Sequence, residues 1–454
     1  MNFESKIIKN ITGPLWLLKD GRLSELSYRR EFRQLQNEKR QILLQRQLLR
    51  IRKLFQHAQE NCPYYQKAIS DAGIRPANMD AREISRLPIV TKKDIRNHLD
   101  VMLARNILAK DMFPANTGGS TGVPMRFFRD RRCLSLRRAQ EIVFDRMMGC
   151  DIGDRVALFV SASHTDTTFG TMKERFRNMT DAMLLRFDPK CTTAAEMSNF
   201  HSKLMRFSPR FIRCFPNSLS IFTNFVLDEK LPVPEIEAIS CTGENIYQWQ
   251  KDLFESVWGA RVFERYGTKE CGVISGEDNS NEGQAIFTEG VYVELVDDTG
   301  KSVEPGEIGR VILTDLFNYA MPLIRYEIGD LAALLVESDV ERDIGFPRFD
   351  KILGRDRDII VATDGTKRPG YLFVEEISDA GLDAKFQIVQ KSIGSVEVRV
   401  VSESIESKAV ANITKRFEAL LGRGGKVDFI RVDDIPRDPS GKYRYVVSEL
   451  VQKH

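Results

Sequence analysis

Three glycines and three hydroxyl side chains crowd into Asn116-Thr117-Gly118-Gly119-Ser120-Thr121-Gly122-Val123-Pro124, a composition suited to holding phosphate. Glycines let the backbone curl until several N–H groups converge on an anion, and the Ser and Thr hydroxyls add donors of the right reach. The phosphate loop of ATPases and GTPases ends in Gly-Lys-Ser/Thr, and no Lys lies in this stretch. Gly118-Gly119-Ser120-Thr121-Gly122 also spells a hydrolase nucleophile elbow, which requires a strand before Ser120 and a helix directly after it. Pro124 and the bulky Met125-Arg126-Phe127-Phe128 instead predict an extended segment. The expectation is a glycine-rich turn between two extended segments, gripping a nucleotide's phosphates; taken alone, an ordinary hairpin turn fits about as well.

The chain that must position this loop has 454 residues, too many for one ordinary core, so at least two domains are expected. Its 42% hydrophobic and 29% charged content describes a soluble globular protein. No apolar run approaches the roughly 18 residues of a membrane span. An apolar patch at 11–18 is interrupted by Gly13 and Pro14 and is followed by no cleavage site, so a cytoplasmic location is expected. Cys62, Cys133, Cys150, Cys191, Cys214, Cys241 and Cys271 stand singly without a C-x-x-C pair, which argues against a zinc ribbon or a disulfide framework. Residues 1–60 carry 13 Lys/Arg against 6 Asp/Glu. Such a start suits a membrane surface or an acidic partner, although a solvated helix face is the commoner outcome.

Periodicity predicts amphipathic helices over 24–61, ended by Pro63 and the stretch 73–76. Short apolar runs at 156–160 and 210–215 alternate with helical stretches such as 194–206, the signature of an α/β layered fold. Residues 235–240 read as a further strand leading into Cys241-Thr242-Gly243-Glu244. Residues 290–296, 309–313 and 331–336 read as antiparallel strands. Beyond a boundary near Gly354, strands at 386–390, 396–401 and 427–432 and a helix at 407–421 predict a small α+β module.

Five further segments follow the loop in order: Cys241-Thr242-Gly243-Glu244, Tyr266-Gly267-Thr268-Lys269-Glu270, Arg325-Tyr326-Glu327-Ile328-Gly329-Asp330, Gly354-Arg355-Asp356-Arg357-Asp358 and Ser440-Gly441-Lys442. With them the chain resembles the adenylate-forming superfamily of acyl-CoA synthetases, adenylation domains and luciferases. The likeness is greatest to phenylacetate-CoA ligases and their relatives in capsular polysaccharide biosynthesis, whose opening is similar to Ala58-Gln59-Glu60-Asn61-Cys62-Pro63-Tyr64-Tyr65 and Leu87-Pro88-Ile89-Val90-Thr91-Lys92-Lys93-Asp94. The resemblance implies a large α/β adenylation domain at 45–353, with β-sheets flanked by helices. A basic helical extension at 1–44 would precede it, and a small mobile α+β lid domain at 354–454 would follow, hinged at 355–358.

It also implies an activity. A carboxylic acid attacks the α-phosphate of ATP, pyrophosphate leaves, and the acyl adenylate passes to a thiol, usually that of CoA. Thr117, Gly118, Gly119, Ser120, Thr121 and Gly122 would hold the β- and γ-phosphates. Glu270 would bind Mg²⁺, a hard cation suited to oxygen ligands. Tyr266, Gly267 and Thr268 would contact adenine and line the acyl and phosphate site, and Gly243 and Glu244 would flank adenine. Asp330 would accept from both ribose hydroxyls. Lys442 would bridge the substrate carboxylate and the α-phosphate. Arg355 matches an arginine of the interdomain segment, and Arg357 takes the hinge position, where relatives often carry Asp or Lys. His164, Phe169, Phe215, Asn217 and Cys241 are candidates for the acyl pocket. Without the resemblance, Glu270 beside Lys269 reads as a surface ion pair, Asp330 as a turn residue and Lys442 as a solvated side chain.

Some members of the superfamily carry a Cys/His cluster after the Tyr-Gly motif; residues 276–286 contain neither type, so no zinc is expected. Besides CoA, the acceptor could be an amine or a carrier thiol used to decorate a surface polysaccharide. A non-catalytic nucleotide-binding assembly protein is the reading of another class, and keeping both Glu270 and Lys442 argues against it. No nucleic-acid reader motif or aromatic-rich basic patch accompanies the N-terminal charge.

Overall fold

A computed structural model of the chain describes residues 3–117, 125–160, 176–188, 193–280, 282–336, 345–355, 358–382, 384–402, 406–436 and 443–450. Met112–Asn116 (β1) and Arg126–Asp130 (β2) pair as an antiparallel hairpin with Asn116 opposite Arg126. The Thr117 N–H donates to the Met125 carbonyl at 2.9 Å, and the Met125 N–H donates to Thr117 Oγ1 at 3.1 Å. Both flanks of the glycine loop are therefore extended, and a strand rather than a helix follows Ser120, so the context of a nucleophile elbow is missing. Residues 118–124 lie outside those described.

Val156–Phe159 (β3), Leu184–Arg186 (β4), Phe211–Cys214 (β5), Ala238–Thr242 (β6), Arg261–Thr268 (β7), Gly272–Gly276 (β8), Gln284–Ile286 (β9), Val291–Val296 (β10), Ile308–Asp315 (β11), Tyr326–Leu334 (β12) and Arg348–Arg355 (β13) form an 11-stranded sheet. Its order is β10-β11-β12-β13-β9-β8-β7-β6-β5-β3-β4. From β4 to β7 neighbours are parallel, and from β7 to β10 they are antiparallel. Every residue of β3 is buried, as expected for strands covered on both faces, whereas β12 alternates buried and half-buried positions.

The helices Ala194–Phe207, Pro216–Asp228 and Gln248–Trp258 cover the parallel half through Phe200, Phe222, Phe254 and Trp258. The helix Arg131–Met147 packs Cys133, Leu136, Ala139 and Val143 against Phe287 and Phe317. The helix Arg40–Asn61 buries Leu43, Ile51, Leu54, Phe55 and Ala58 and runs unbroken through position 45. The strand expected at 235–240 is β6, displaced toward the C-terminus; Pro232 and Pro234 hold the preceding segment out of the ladder.

The C-terminal part has two short strands, Ile359–Val361 (β14) and Lys367–Pro369 (β15), and a four-stranded sheet. That sheet is built from Lys385–Ser392 (β16), Ser395–Val401 (β17), Lys426–Arg431 (β18) and Val446–Ser448 (β19), in the order β18-β17-β16-β19. The helices Gly370–Asp379 and Ser407–Leu421 meet over it through Phe373 and Phe417, whose ring centroids are 5.0 Å apart. Its core also takes in Tyr247, which caps the helix Gln248–Trp258 of the larger body.

Candidate active site

The parallel strands β5, β6 and β7 deliver their carboxyl ends to one edge, the place where open α/β sheets bind ligands. β7 is also where parallel pairing gives way to antiparallel. Each of the three strand ends carries residues singled out in the sequence: Phe215 and Asn217 after β5, Gly243 and Glu244 after β6, and Tyr266, Gly267 and Thr268 at the end of β7.

Asp330 and Arg355 are brought to this edge by strand register, because Asp330 of β12 lies directly opposite Arg355 of β13. Asp330 Oδ2 accepts from the Tyr266 hydroxyl at 2.7 Å, and Arg355 Nε lies 3.3 Å from Asp330 Oδ1. Asp330 is buried, and it is a mid-strand residue rather than the turn residue that its bare context suggests. Gly329 before it has φ +81° and sits where the β11–β12 register shifts, so it makes a bulge that re-aims its neighbour. Burial raises the Tyr266 phenol well above its usual value, and Asp330 adds to the rise. Burial opposes the charge on Arg355, yet Asp330, Asp358 and Glu270 outweigh it and hold the guanidinium protonated.

Glu270 occupies the turn between β7 and β8. Its buried side chain accepts from the Tyr326 hydroxyl through Oε1 at 2.9 Å. Arg137, from the helix Arg131–Met147, fixes the turn by donating to the Lys269 and Glu270 carbonyls and to Asp315 Oδ2. Thr268 Oγ1 accepts from the Cys271 N–H at 3.0 Å, closing the same turn. Among the described residues no cluster of three or more His, Cys, Asp and Glu side chains gathers as a metal cage. A single buried carboxylate with one oxygen engaged fits Mg²⁺, which commonly takes one or two carboxylates together with substrate phosphates.

Glu244 joins the two parts of the molecule. Its Oε2 accepts from Asn217 Nδ2 at 2.8 Å, and its Oε1 accepts from the Tyr443 N–H at 3.2 Å. Asn217 Oδ1 in turn accepts from the Tyr445 hydroxyl at 3.0 Å and from Gln250 Nε2 at 3.3 Å. The Tyr247 and Tyr445 rings meet edge-on with centroids 5.2 Å apart. The segment following Ser440-Gly441-Lys442 is thus docked against the Gly243-Glu244 segment, with Tyr443 one peptide bond from Lys442. Gly243 has φ +79°, and a Cβ there would lie 2.6 Å from the Phe215 ring, so this close approach requires glycine.

Asn217 is buried with its amide committed to Glu244, Gln250 and Tyr445. Cys241 is buried with Sγ 3.4 Å from Cys214 Sγ. Gly118, Gly119, Ser120, Thr121, Gly122, His164, Phe169, Arg357 and Lys442 lie outside the described residues. Arg325 takes a structural part: at φ +52° its guanidinium bonds Glu294 and the Leu87 carbonyl, and Val90 bridges to Tyr326. The motif 87–94 is in this way tied to the motif 325–330.

Arg137, Asp315 and the Tyr443–Tyr445 pair were not singled out in the sequence. An Arg in a buried helical stretch was the available signal for the first. The three aromatic or basic residues after Lys442 were the signal for the last.

Comparison with known proteins bears on the whole chain. A family model described as the CapK C-terminal domain matches residues 374–449. Protein CapK of Staphylococcus aureus is 21% identical over 424 residues, which cover 90% of each chain. A phenylacetate-coenzyme A ligase of Thermus thermophilus is 23% identical over 457 residues, covering 93% of this chain and 99% of the relative. Among solved structures, 2-hydroxyisobutyryl-CoA ligase in its postadenylation state, in complex with R3-HIB-AMP, superposes with a TM-score of 0.73 at 19% identity over 92% of each chain. The same ligase in its thioesterification state gives 0.61 at 20% identity over 91% of each. The chain has the adenylate-forming ligase fold and is related to that superfamily of enzymes. The kinship runs through the phenylacetate-CoA ligases and CapK.

Proposed function

We propose that this protein activates a carboxylic acid as its acyl adenylate and then transfers the acyl group to the thiol of CoA. In the first step a carboxylate oxygen bonds to the α-phosphorus of ATP, the bond to the bridging oxygen breaks, and pyrophosphate leaves. Such a reaction calls for positioning and charge stabilisation more than for covalent help from the protein. The observation that carries the reading is the convergence of Tyr266, Asp330, Arg355, Glu270 and Glu244 at one sheet edge, with the segment after Lys442 docked on Glu244.

In this reading Asp330 exchanges the Tyr266 hydroxyl for the ribose hydroxyls, and Tyr266 and Gly243-Glu244 frame adenine. The loop from Thr117 to Gly122 holds the outer phosphates across the β1–β2 hairpin. Glu270 would hold Mg²⁺, which would supply positive charge beside the phosphates. Lys442 follows the charge from substrate carboxylate to α-phosphate, and Thr268 lines the same space. Residues 355–358, with Arg357 as pivot, let the small domain rotate so that the thiol reaches the adenylate. The better superposition on the postadenylation state than on the thioesterification state supports placing the present arrangement on the adenylation side of that rotation.

The likeness to CapK along 90% of the chain favours a second acceptor, an amine or carrier thiol of surface polysaccharide synthesis. Pyrophosphate exchange over a panel of aryl, fatty, hydroxy and amino acids tests the activation, and CoA consumption with the active acid separates the acceptors. Absence of exchange with every acid, in protein that binds ATP, would refute the ligase reading. Exchange without CoA consumption would favour the second acceptor.

A further inference from the structure

The first helical segment carries, besides the face it packs on the body, an apolar stripe that faces away from it. It runs as Phe3–Ile7, a wider π turn Ile8–Thr12, and Gly13–Lys19. Its polar groups are spent on the body: Ser5 Oγ donates to the Gly153 carbonyl at 2.8 Å, Thr12 Oγ1 to the Thr180 carbonyl at 2.6 Å, and Lys9 pairs with Asp151. Ile8 and Leu17 are buried against the body, whereas Phe3, Ile11, Leu15 and Leu18 point away and are between 56% and 78% exposed. In an α-helix a step of four residues drifts by about 40°. The π turn absorbs much of that drift and keeps Phe3, Ile7, Ile11, Leu15 and Leu18 in one stripe. Gly13 and Pro14 do not break the helix, because they fall at the first turn after the π segment, where Pro is tolerated.

Lys6 and Lys19 are exposed on either side of the stripe. Lys19 also lies 4.7 Å from the Trp16 ring centroid, and the neighbouring Phe176 is 62% exposed. The stripe is one helix wide and about 25 Å long, well short of the roughly 800 Å² per partner of a specific protein interface. A two-fold contact between copies would also bring like charges together. An apolar stripe flanked by lysines, with Trp and Phe at its border, is instead the composition of a helix lying in a lipid interface.

We propose that this helix docks the protein on an anionic bilayer surface, with Phe3, Ile11, Leu15 and Leu18 entering the acyl boundary and Lys6 and Lys19 meeting the headgroups. Sedimentation of the full chain with vesicles of phosphatidylcholine and phosphatidylglycerol (3:1), and of phosphatidylcholine alone, tests this. Binding to the mixed vesicles is expected to exceed binding to neutral ones and to weaken with added salt. The double variant Leu15→Glu/Leu18→Glu is expected to lose at least tenfold in binding while its melting temperature and acid-dependent exchange stay unchanged. Lys6→Glu/Lys19→Glu should remove the preference for the anionic lipid. Wild-type protein left in the supernatant, or equal binding by either double variant, would overturn the proposal. So would a wild-type dimer in solution that Leu15→Glu/Leu18→Glu dissociates, since that would assign the stripe to a second copy.

Discussion

Removing one hydroxyl, by Tyr445→Phe, should unbalance the two half-reactions. The phenyl ring keeps its edge-on contact with Tyr247, and the deletion removes the bond that Tyr445 donates to Asn217 Oδ1 at 3.0 Å. A neutral hydrogen bond of this kind contributes about 1 kcal/mol. The usual further penalty for an orphaned acceptor does not arise, because Asn217 Oδ1 still accepts from Gln250. The docked arrangement should therefore lose about 1 kcal/mol, about a fivefold change in its population relative to the rotated one. In the proposed alternation, with the two arrangements populated within a few fold of each other, a shift of this size reaches the rates. Acid-dependent pyrophosphate exchange is expected to fall by up to about fivefold, while thioester formation from preformed adenylate is unchanged or faster. An equal fall in both half-reactions, or unaltered exchange, would refute the assignment of this bond to the adenylation arrangement.

Lys442→Ala should abolish adenylate formation while leaving ATP affinity largely intact, measured by exchange and by nucleotide titration; comparable turnover would remove the role given to Lys442. Gly243→Ala, strained at φ +79° and crowding Phe215, should raise the KM for ATP by about tenfold, with a smaller change in the KM for the acid. Burial lifts the Glu264 carboxyl to about 7, with Glu277 adding to the rise and Lys251 opposing it. Between about pH 4.5 and 7 the folded state then keeps a proton that the unfolded chain has lost, so stability falls as pH rises. Glu264→Gln should accordingly raise the melting temperature at pH 8, by the equivalent of about 1–3 kcal/mol, and change it little at pH 4.5. A shift of equal size at both values would count against that cause.

Local signals made the loop's setting readable. Pro124 and the bulky residues after it specify an extended flank, and β1 and β2 bear this out. The helix at 407–421 follows directly from its apolar period. Register is where such signals stop. Asp330 meets Arg355 because β12 and β13 pair with particular offsets, and a positive φ at Gly329 serves a bulge inside a strand as readily as a turn. Arg137 reaches carbonyls more than 130 residues away, and Tyr445 reaches Asn217 across 228 residues. No spacing in the chain encodes either contact. The first helix shows the same limit: Gly13 and Pro14 suggest interruption, and only the π turn before them reveals a continuous apolar face.

The attack of a carboxylate on the α-phosphate of ATP is the central claim, and oxygen labelling tests it most directly. With an activatable acid carrying ¹⁸O in its carboxylate, a complete turnover with CoA should release pyrophosphate and place one ¹⁸O in AMP. Formation of ADP with the label in orthophosphate would show attack at the terminal phosphate and contradict the account.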